Sequence, residues 1–235
     1  MAELKGLVRA LCEGDDPAKA AAARALGNFA YNNSANKAAI AKARGIPPLV
    51  DLLRDGSAKA KEDAARTLSS LACSIANGVL IVADGAIPPL IDLLRDGGAN
   101  AKVRAAAALH YLAYHNDANK VAIAEGGGIP PLLQLRCGRI FVPEAAAALG
   151  NLVHGNDAHA VAVAATVGLE ALVQLARRGR VTIVSYEVVV RNAGIAAKRK
   201  AALVVAELLR ACVPDELRSR ADVQDLIRDV IGPYL

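Results

Sequence analysis

The chain has 235 residues, a net charge of +5 and 54% hydrophobic residues, but two Phe, five Tyr and no Trp. This shortage of aromatic rings argues against stacking of single-stranded nucleic acid, and the charge is mild for a duplex-binding protein. No apolar run reaches the length of a membrane span, and the first residues lack the apolar stretch of a signal peptide. We therefore expect a soluble protein of the cytoplasm, with the nucleus as the alternative.

The usual signatures of catalysis and metal binding are missing from the sequence. The four cysteines, at positions 12, 73, 137 and 212, form no C-x-x-C pair, so we expect buried, reduced thiols. No phosphate-binding glycine loop is present, and the histidines come in pairs five residues apart, a poor spacing for shared ligation on a helix. The sequence predicts no enzyme, no metal and no cofactor.

The opening segment predicts an amphipathic helix, because Leu4, Leu7, Val8 and Leu11 recur at helical spacing. This stripe matches the second helix of the repeats described next, and no first helix stands before it. We therefore expect that the chain opens inside a repeat and is a fragment of a longer protein. An uncapped repeat end would also favour self-association.

A segment that begins Ile46-Pro47-Pro48-Leu49 returns at residues 87 and 129. Self-similarity at a period of about 40 residues indicates stacked helical units, because one unit cannot bury its own apolar face. The sequence therefore predicts an extended array of helices, which typically binds a partner along its surface.

Each unit is predicted to hold three helices. The first begins at an Asn-Lys pair such as Asn36-Lys37, and a glycine in the left-handed conformation stops it; these glycines are Gly45, Gly85, Gly128 and Gly168. The second begins at the Pro pair, which suits a first helical turn, and ends at an Asp-Gly pair. The third is the longest, predicted over residues 61–74 in the second unit.

Two apolar positions recur with the same steps of 42, 41, 40 and 41 residues. They are Leu26, Leu68, Leu109, Leu149 and Val190 in the third helix, and Ile40, Val82, Ile123, Val163 and Val204 in the first. The register predicts one domain over residues 1–235, with units at 1–31, 32–74, 75–115, 116–155 and 156–195 and a partial unit or cap at 196–235. Residues 181–190 locally favour a strand, but we follow the register; whether 181–195 is helical stays open.

The segment 85–94, Gly-Ala-Ile-Pro-Pro-Leu-Ile-Asp-Leu-Leu, together with Ala-Leu-Gly-Asn-Phe-Ala at 25–30, resembles the armadillo repeat. The resemblance covers nearly the whole chain. It implies an all-α, right-handed superhelical solenoid of about five repeats, with the first truncated and a helical C-terminal cap. It also implies a concave groove lined by the third helices.

In armadillo proteins an Asn on the third helix typically hydrogen-bonds the backbone of an extended peptide, since an amide both donates and accepts. The positions that match here are Asn28, Ser70, Tyr111, Asn151 and Asn192. Three of the five keep Asn, and Tyr111 departs most. The alternative is that each Asn satisfies a local backbone group.

One turn earlier the same face carries Arg24 and Arg66. Nuclear-import adaptors of the armadillo family place Trp there, so the absence of Trp disfavours that function. The two arginines favour an acidic or phosphorylated ligand, because guanidinium groups bind such anions with two hydrogen bonds. The alternative is a solvated pair of arginines.

We predict a non-catalytic scaffold that binds an extended segment of a partner protein in this groove. One alternative is a solenoid that binds nucleic acid. Another is a substrate-recognition fragment of a larger ubiquitin ligase, or of a vacuolar or signalling adaptor. The ligand, its direction in the groove and the pathway are not specified by the sequence.

Overall fold

The computed structural model describes residues 2–137, 140–154 and 156, with side chains except those of 136–141. The chain separates into two compact units, Met1–Leu135 and Arg136–Leu235, which are described separately. The predicted fifth repeat, the segment 181–195 and the C-terminal cap lie outside the described residues.

The first compact unit is a stack of helices in the predicted order. α1 (Ala2–Glu13) and α2 (Asp16–Ala30) are the second and third helices of the opening repeat. Two complete repeats follow, α3 (Ser34–Lys42), α4 (Ile46–Asp55) and α5 (Ala58–Ala72), then α6 (Ile75–Ala83), α7 (Ile87–Asp96) and α8 (Ala99–Ala113). α9 (Asp117–Glu125) and α10 (Ile129–Gln134) begin the next.

The described part of the second compact unit contains one long helix, α11 (Pro143–Val153). Before it, β1 (Arg136–Cys137) and β2 (Ile140–Phe141) form a short antiparallel pair that pairs Arg136 with Phe141. No strand was predicted at these positions. β-Branched and aromatic residues at 140–142 favour extended backbone there. Outside this short pair the described elements are all α-helices, so the predicted all-α architecture of repeated three-helix units is confirmed for these residues.

The second helices begin and end as predicted, with a Pro in the first turn of α4, α7 and α10, and the last residues of α4 and α7 at Asp55 and Asp96. The third helix of the second repeat does not cover 61–74. It begins at Ala58, because the Ser57 hydroxyl accepts a hydrogen bond from the Ala60 amide at 3.3 Å and caps the helix. It ends at Ala72.

The first helices begin two residues before the Asn-Lys pairs. Asn33 caps α3 by accepting from the amide of Asn36 at 3.0 Å, and Asn116 caps α9 in the same way. Asn36 itself lies in the first turn, where its Nδ2 donates to the Phe29 carbonyl at 2.7 Å. Asn119 makes the equivalent bond to the last turn of α8. The asparagines of the two Asn-Lys pairs therefore fasten α3 to α2 and α9 to α8.

The left-handed residue after each first helix is Arg44, Gly85 or Gly127, with φ of 58°, 77° and 76°. The prediction was right for Gly85. It was wrong for Gly45 and Gly128, which have right-handed backbone and come one residue later. At both positions an added Cβ would lie within 3 Å of an isoleucine methyl group, so close packing favours glycine there. Gly168 lies outside the described residues.

The core follows the third-helix ladder, because Leu26, Leu68, Leu109 and Leu149 are at most 1% exposed. The first-helix ladder was wrong at one position. Ile81 is fully buried, as are Ile40 and Ile123, whereas Val82 is half-buried; Val163 and Val204 lie outside the described residues. The repeat therefore steps by 41 and then 42 residues here, because the loop between α5 and α6 is one residue short. Cys12 and Cys73 are exposed, which corrects the prediction of buried thiols.

Successive third helices pack side by side, α2 on α5 and α5 on α8. The first of these contacts is unusually close. The Thr67 hydroxyl donates to the Ala23 carbonyl at 2.7 Å, and a Cβ at Gly27 would fall 2.6 Å from that hydroxyl oxygen. A small residue on α2 thus lets a buried hydrogen bond join the two helices.

Candidate functional site

The third helices present one side chain each at an equivalent, solvent-accessible position. We call Asn28, Ser70 and Tyr111 the third-helix row. Three residues after each comes the C-cap of its helix, Tyr31, Cys73 or Tyr114. Asn28 and Tyr111 are exposed and Ser70 is half-buried. The row therefore keeps one height along the side-by-side helices.

Arg24 is committed to a neighbouring helix. Its Nη2 donates to Asp63 Oδ2 at 2.9 Å and its Nε to both carboxylate oxygens at 3.3 Å. The Asp63 side chain is only 3% exposed, so this pair compensates a buried charge, with Lys59 also 3.5 Å away. The hydrogen bond to Asp63, and then its charge, raise the pKa of Arg24 above the usual value.

Arg66 reaches in the opposite direction, from α5 to α2. Its Nη2 donates to Asn28 Oδ1 at 2.8 Å, in a solvent-exposed position. The Asn28 carbonyl oxygen therefore has a partner in this structure, while its NH₂ group offers donors. Ser70 donates to the Arg66 carbonyl at 3.2 Å, so its hydroxyl oxygen can still accept.

The structure brings Arg24, Asn28, Arg66 and Ser70 together on α2 and α5, with Tyr111 on the adjacent α8. Tyr111 is 38% exposed, and its ring centroid lies 4.8 Å from that of His110. Asn151 is half-buried on α11, in the other compact unit. Asn192 lies outside the described residues. That these residues contact a ligand stays a prediction.

The third helices and two of the second helices carry net charges of opposite sign. The third helices α2, α5 and α8 carry seven basic residues and three acidic ones: Lys19, Arg24, Lys59, Lys61, Arg66, Lys102 and Arg104 against Asp16, Glu62 and Asp63. The second helices α4 and α7 carry two basic residues and four acidic ones: Arg54 and Arg95 against Asp51, Asp55, Asp92 and Asp96. These third helices therefore carry a positive net charge, whereas α4 and α7 carry a negative one.

The sequence analysis missed a contact that holds successive repeats in register. Arg54 Nη2 donates to the carbonyls of Asp84 and Gly85 at 2.7 and 3.4 Å. Arg95 makes the equivalent contacts with the loop after α9. We call these contacts the arginine staples. The signal was an Arg two residues before Gly56 and Gly97; Cys12 stands two residues before Gly14 instead.

Two further features of the described residues bear on function. An open hollow of about 530 Å³ lies between α4 and α7, lined by Arg54, Lys61, Asp92 and Asp96 among others, so charges of both signs meet there. The described residues contain no group of three or more side chains suited to a metal ion. No single described helix is long and apolar enough to cross a membrane; α6 and α7 meet that criterion only as a pair, bent by 85°.

The chain is similar to known helical-repeat proteins in sequence and in structure. Residues 33–73 match the family model of the Armadillo/beta-catenin-like repeat. None of the curated protein sequences matches the chain closely enough to support an argument. An engineered protein from a structural genomics consortium is 25% identical, with a TM-score of 0.70 over 100% of this chain and 97% of that one.

Designed proteins are similar over the same length. A designed armadillo repeat protein in complex with the peptide (KR)4 is 20% identical, with a TM-score of 0.69 over 99% of this chain and 100% of that one. A computationally designed armadillo repeat protein for modular peptide recognition is 23% identical, with a TM-score of 0.67 over 98% and 96%. With the repeat spacing, the three-helix units and the family match over residues 33–73, these likenesses show that the chain has an armadillo-type repeat fold.

Proposed function

We propose that the chain is a non-catalytic scaffold that binds an extended segment of a partner protein along the third-helix row. The observation that carries this proposal is the equivalent, accessible placement of Asn28, Ser70 and Tyr111 on successive helices. The similar designed proteins support it, since one is in complex with a peptide and another is described as made for peptide recognition.

The polar groups of the row suit a peptide backbone. The Asn28 NH₂ group donates and the Ser70 hydroxyl oxygen accepts, and these are the two partners that a peptide unit needs. Each such bond contributes little by itself, so affinity arises from several contacts made in sequence along the array. The ligand side chains that contact the protein then determine which peptide sequences bind.

The positive net charge of the third helices does not suit a basic peptide such as (KR)4. Its third helices carry an excess of basic residues, so an acidic or phosphorylated segment is the matching ligand. Arg24 already pairs with Asp63, and we therefore assign the attraction mainly to Arg66 and the exposed Arg104.

A peptide-display selection from a library of disordered protein segments tests the proposal. Wild type is compared with Asn28→Ala/Ser70→Ala at equal helical content by circular dichroism. Asn100→Ala is the matched control, because this exposed Asn lies near the start of α8 and outside the row. We expect wild type and control to enrich a common acidic motif that the double variant loses.

Two outcomes would overturn the proposal. Enrichment that is equal in the double variant would show that the row does not read the peptide. Failure to enrich any motif, together with binding of nucleic acid that weakens steeply with salt, would favour the alternative of a nucleic-acid-binding solenoid.

A further inference from the structure

The junction between α5 and α6 differs from its counterparts. Tyr31-Asn32-Asn33 follows α2 and Tyr114-His115-Asn116 follows α8, and the middle residue of each is left-handed, with φ of 49° and 50°. Only Cys73-Ser74 separates α5 from α6, so one residue is missing and the tyrosine is replaced. The side-chain Nδ2 of Asn77 donates to the Lys37 carbonyl of the preceding first helix at 3.2 Å, whereas Asn36 and Asn119 donate to the preceding third helix.

α6 also departs from the other first helices in its surface residues. Ile75 stands where α3 has Ser34 and α9 has Asp117. Ser and Asp suit the first turn of a helix, whereas Ile75 leaves an apolar side chain 72% exposed there. α6 carries no charged residue at all. Neither the exposed Ile75 nor the lack of charged residues on α6 helps to stabilise the fold.

Gly78 is the second departure, because α3 and α9 carry Lys37 and Lys120 at the same position. A Cβ at Gly78 would lie 3.8 Å from Leu112 Cδ2, which is ordinary contact, and its backbone is not left-handed. Neither packing nor conformation requires glycine, and glycine weakens a helix interior. Residues that break local rules without a gain in packing point to function.

Together these departures open a small depression of about 40 Å³. Its wall comes from the end of α5, from α6, from the end of α8 and from the start of α9, with Cys73, Ile75, Gly78, Val79, Tyr111 and Tyr114 in the lining. Asn116 and Asn119 complete it; the Asn116 side chain accepts from the Asn119 backbone amide, and the Asn119 side chain donates to the Leu112 carbonyl. No charged side chain lines it. Tyr111 belongs both to the depression and to the third-helix row, so a chain that follows the row passes the opening.

We propose that this depression holds a short aliphatic side chain, such as Val, Leu or Ile, of an acidic extended segment bound along the row. This inference rests on the proposed function and names its ligand more closely. The uncharged lining selects an apolar group, because a charged one would lose its hydration without a partner. Arg66 and Arg104, earlier on α5 and α8, favour acidic residues on either side of the anchor.

Two probe peptides test the proposal by fluorescence polarisation. One is a short repeat of Asp and Glu, and the other is identical except for a central Leu. We expect the Leu peptide to bind about tenfold tighter, since partial burial of one aliphatic side chain supplies that factor. Equal affinity for wild type would overturn the assignment of an apolar anchor.

Gly78→Ala separates binding from folding. The added methyl group fits the helix without a clash and raises the urea midpoint, but it fills the floor of the depression and should abolish the preference for Leu. Leu80→Ala is the matched control, because Leu80 is 46% exposed on the same helix and lies outside the lining. A preference retained in Gly78→Ala would overturn the proposal.

Cys73 provides a direct readout with an internal control. The Leu peptide should protect Cys73 from iodoacetamide and leave the exposed Cys12 on α1 reactive.

If both peptides bind equally and Cys73 stays reactive, the depression proposal fails while peptide binding stands. If neither peptide binds, an acidic segment with an apolar anchor is the wrong ligand, and the display selection decides separately whether the row binds any peptide. If Ile75→Ser changes only self-association in sedimentation, the face is an interface between copies and the proposal is wrong.

Discussion

Two neighbouring contacts between repeats use polar bonds on different sides of the stack. Between the first and second repeats, α2 and α5 are joined by the Arg24–Asp63 pair and by the buried bond from Thr67 to Ala23. Between the second and third repeats, an arginine staple from Arg54 lies on the second-helix side.

The bonds of the first contact stabilise the fold, whereas the second contact leaves the depression open for the proposed ligand. On the third-helix side of the first contact, Arg24 is already committed to neutralising a buried carboxylate. At the second contact, polar bonds are made away from that side, through Arg54 and through Asn77 on the first helices. The ends of α5 and α8 are thus left to form an uncharged depression. We therefore expect substitutions at Gly27 and Thr67 to change mainly folding, and substitutions in the lining of the depression to change mainly binding.

The largest expected effect comes from breaking the close approach of α2 to α5. Gly27→Ala places a Cβ 2.6 Å from Thr67 Oγ1 and should lower the free energy of unfolding by about 2 kcal/mol. In a Thr67→Ala background, which removes the obstruction, the same substitution should cost about zero, because Ala favours the helix. Urea titration of the four proteins of this cycle measures the coupling, and additive effects would contradict it.

A smaller effect is expected at the second-helix side. Arg54→Ala removes the staple to the carbonyls after α6 and should destabilise by about 1 kcal/mol, a modest value because the side chain is 43% exposed. Cys12→Ala alters the equivalent position of α1, where no arginine stands, and serves as the control. Equal urea midpoints for the two variants would show that the staple contributes nothing.

A substitution at the left-handed residue after a first helix is expected to increase the stability of the protein. Arg44 has φ of 58° with no arginine reaching it from α1, whereas Gly85 and Gly127 face Arg54 and Arg95. Arg44→Gly should raise the free energy of unfolding by about 1 kcal/mol, since glycine adopts this backbone without strain. Gly85→Ala should do the reverse, because its Cβ would lie 3.0 Å from Arg54 Nη2. Opposite signs in thermal unfolding support this account.

The smallest effect concerns acid sensitivity at the first contact. The hydrogen bonds from Ser57, first from its side chain and then from its backbone amide, hold the pKa of Asp16 below its ordinary value of 3.8. A lowered folded-state pKa stabilises the protein above the unfolded-state value, and this contribution is lost as the pH falls through the folded-state value. Asp16→Asn should therefore flatten the decline in stability below pH 3.8, and an unchanged acid limb would contradict this.

The sequence predicted the helices well where a pattern is repeated and local. The Pro pairs placed the starts of α4, α7 and α10, and the leucine ladder placed the core of the third helices. The prediction failed at the loop between α5 and α6, which is one residue shorter than its counterparts. The steps of the third-helix ladder, applied to the first helices, assigned Val82 to the core, but the shorter loop before α6 brings Ile81 there instead.

The candidate site was predictable in position and less so in chemistry. The register placed Asn28, Ser70 and Tyr111 in one row, because equal spacing along packed helices gives equal height. It could not show that Arg24 binds Asp63, since the two residues are 39 positions apart and either could have faced solvent.

The sequence by itself determined the repeat, the three-helix unit and the residues that alternate between core and surface, because each depends on spacing along one chain. Tertiary structure decided which polar groups pair between helices and where the surface opens. Those outcomes depend on how closely helices approach, as at Gly27 and Thr67, and on a one-residue difference in a loop, as before α6. Packing distances of this kind arise between segments far apart in sequence, so no local pattern encodes them.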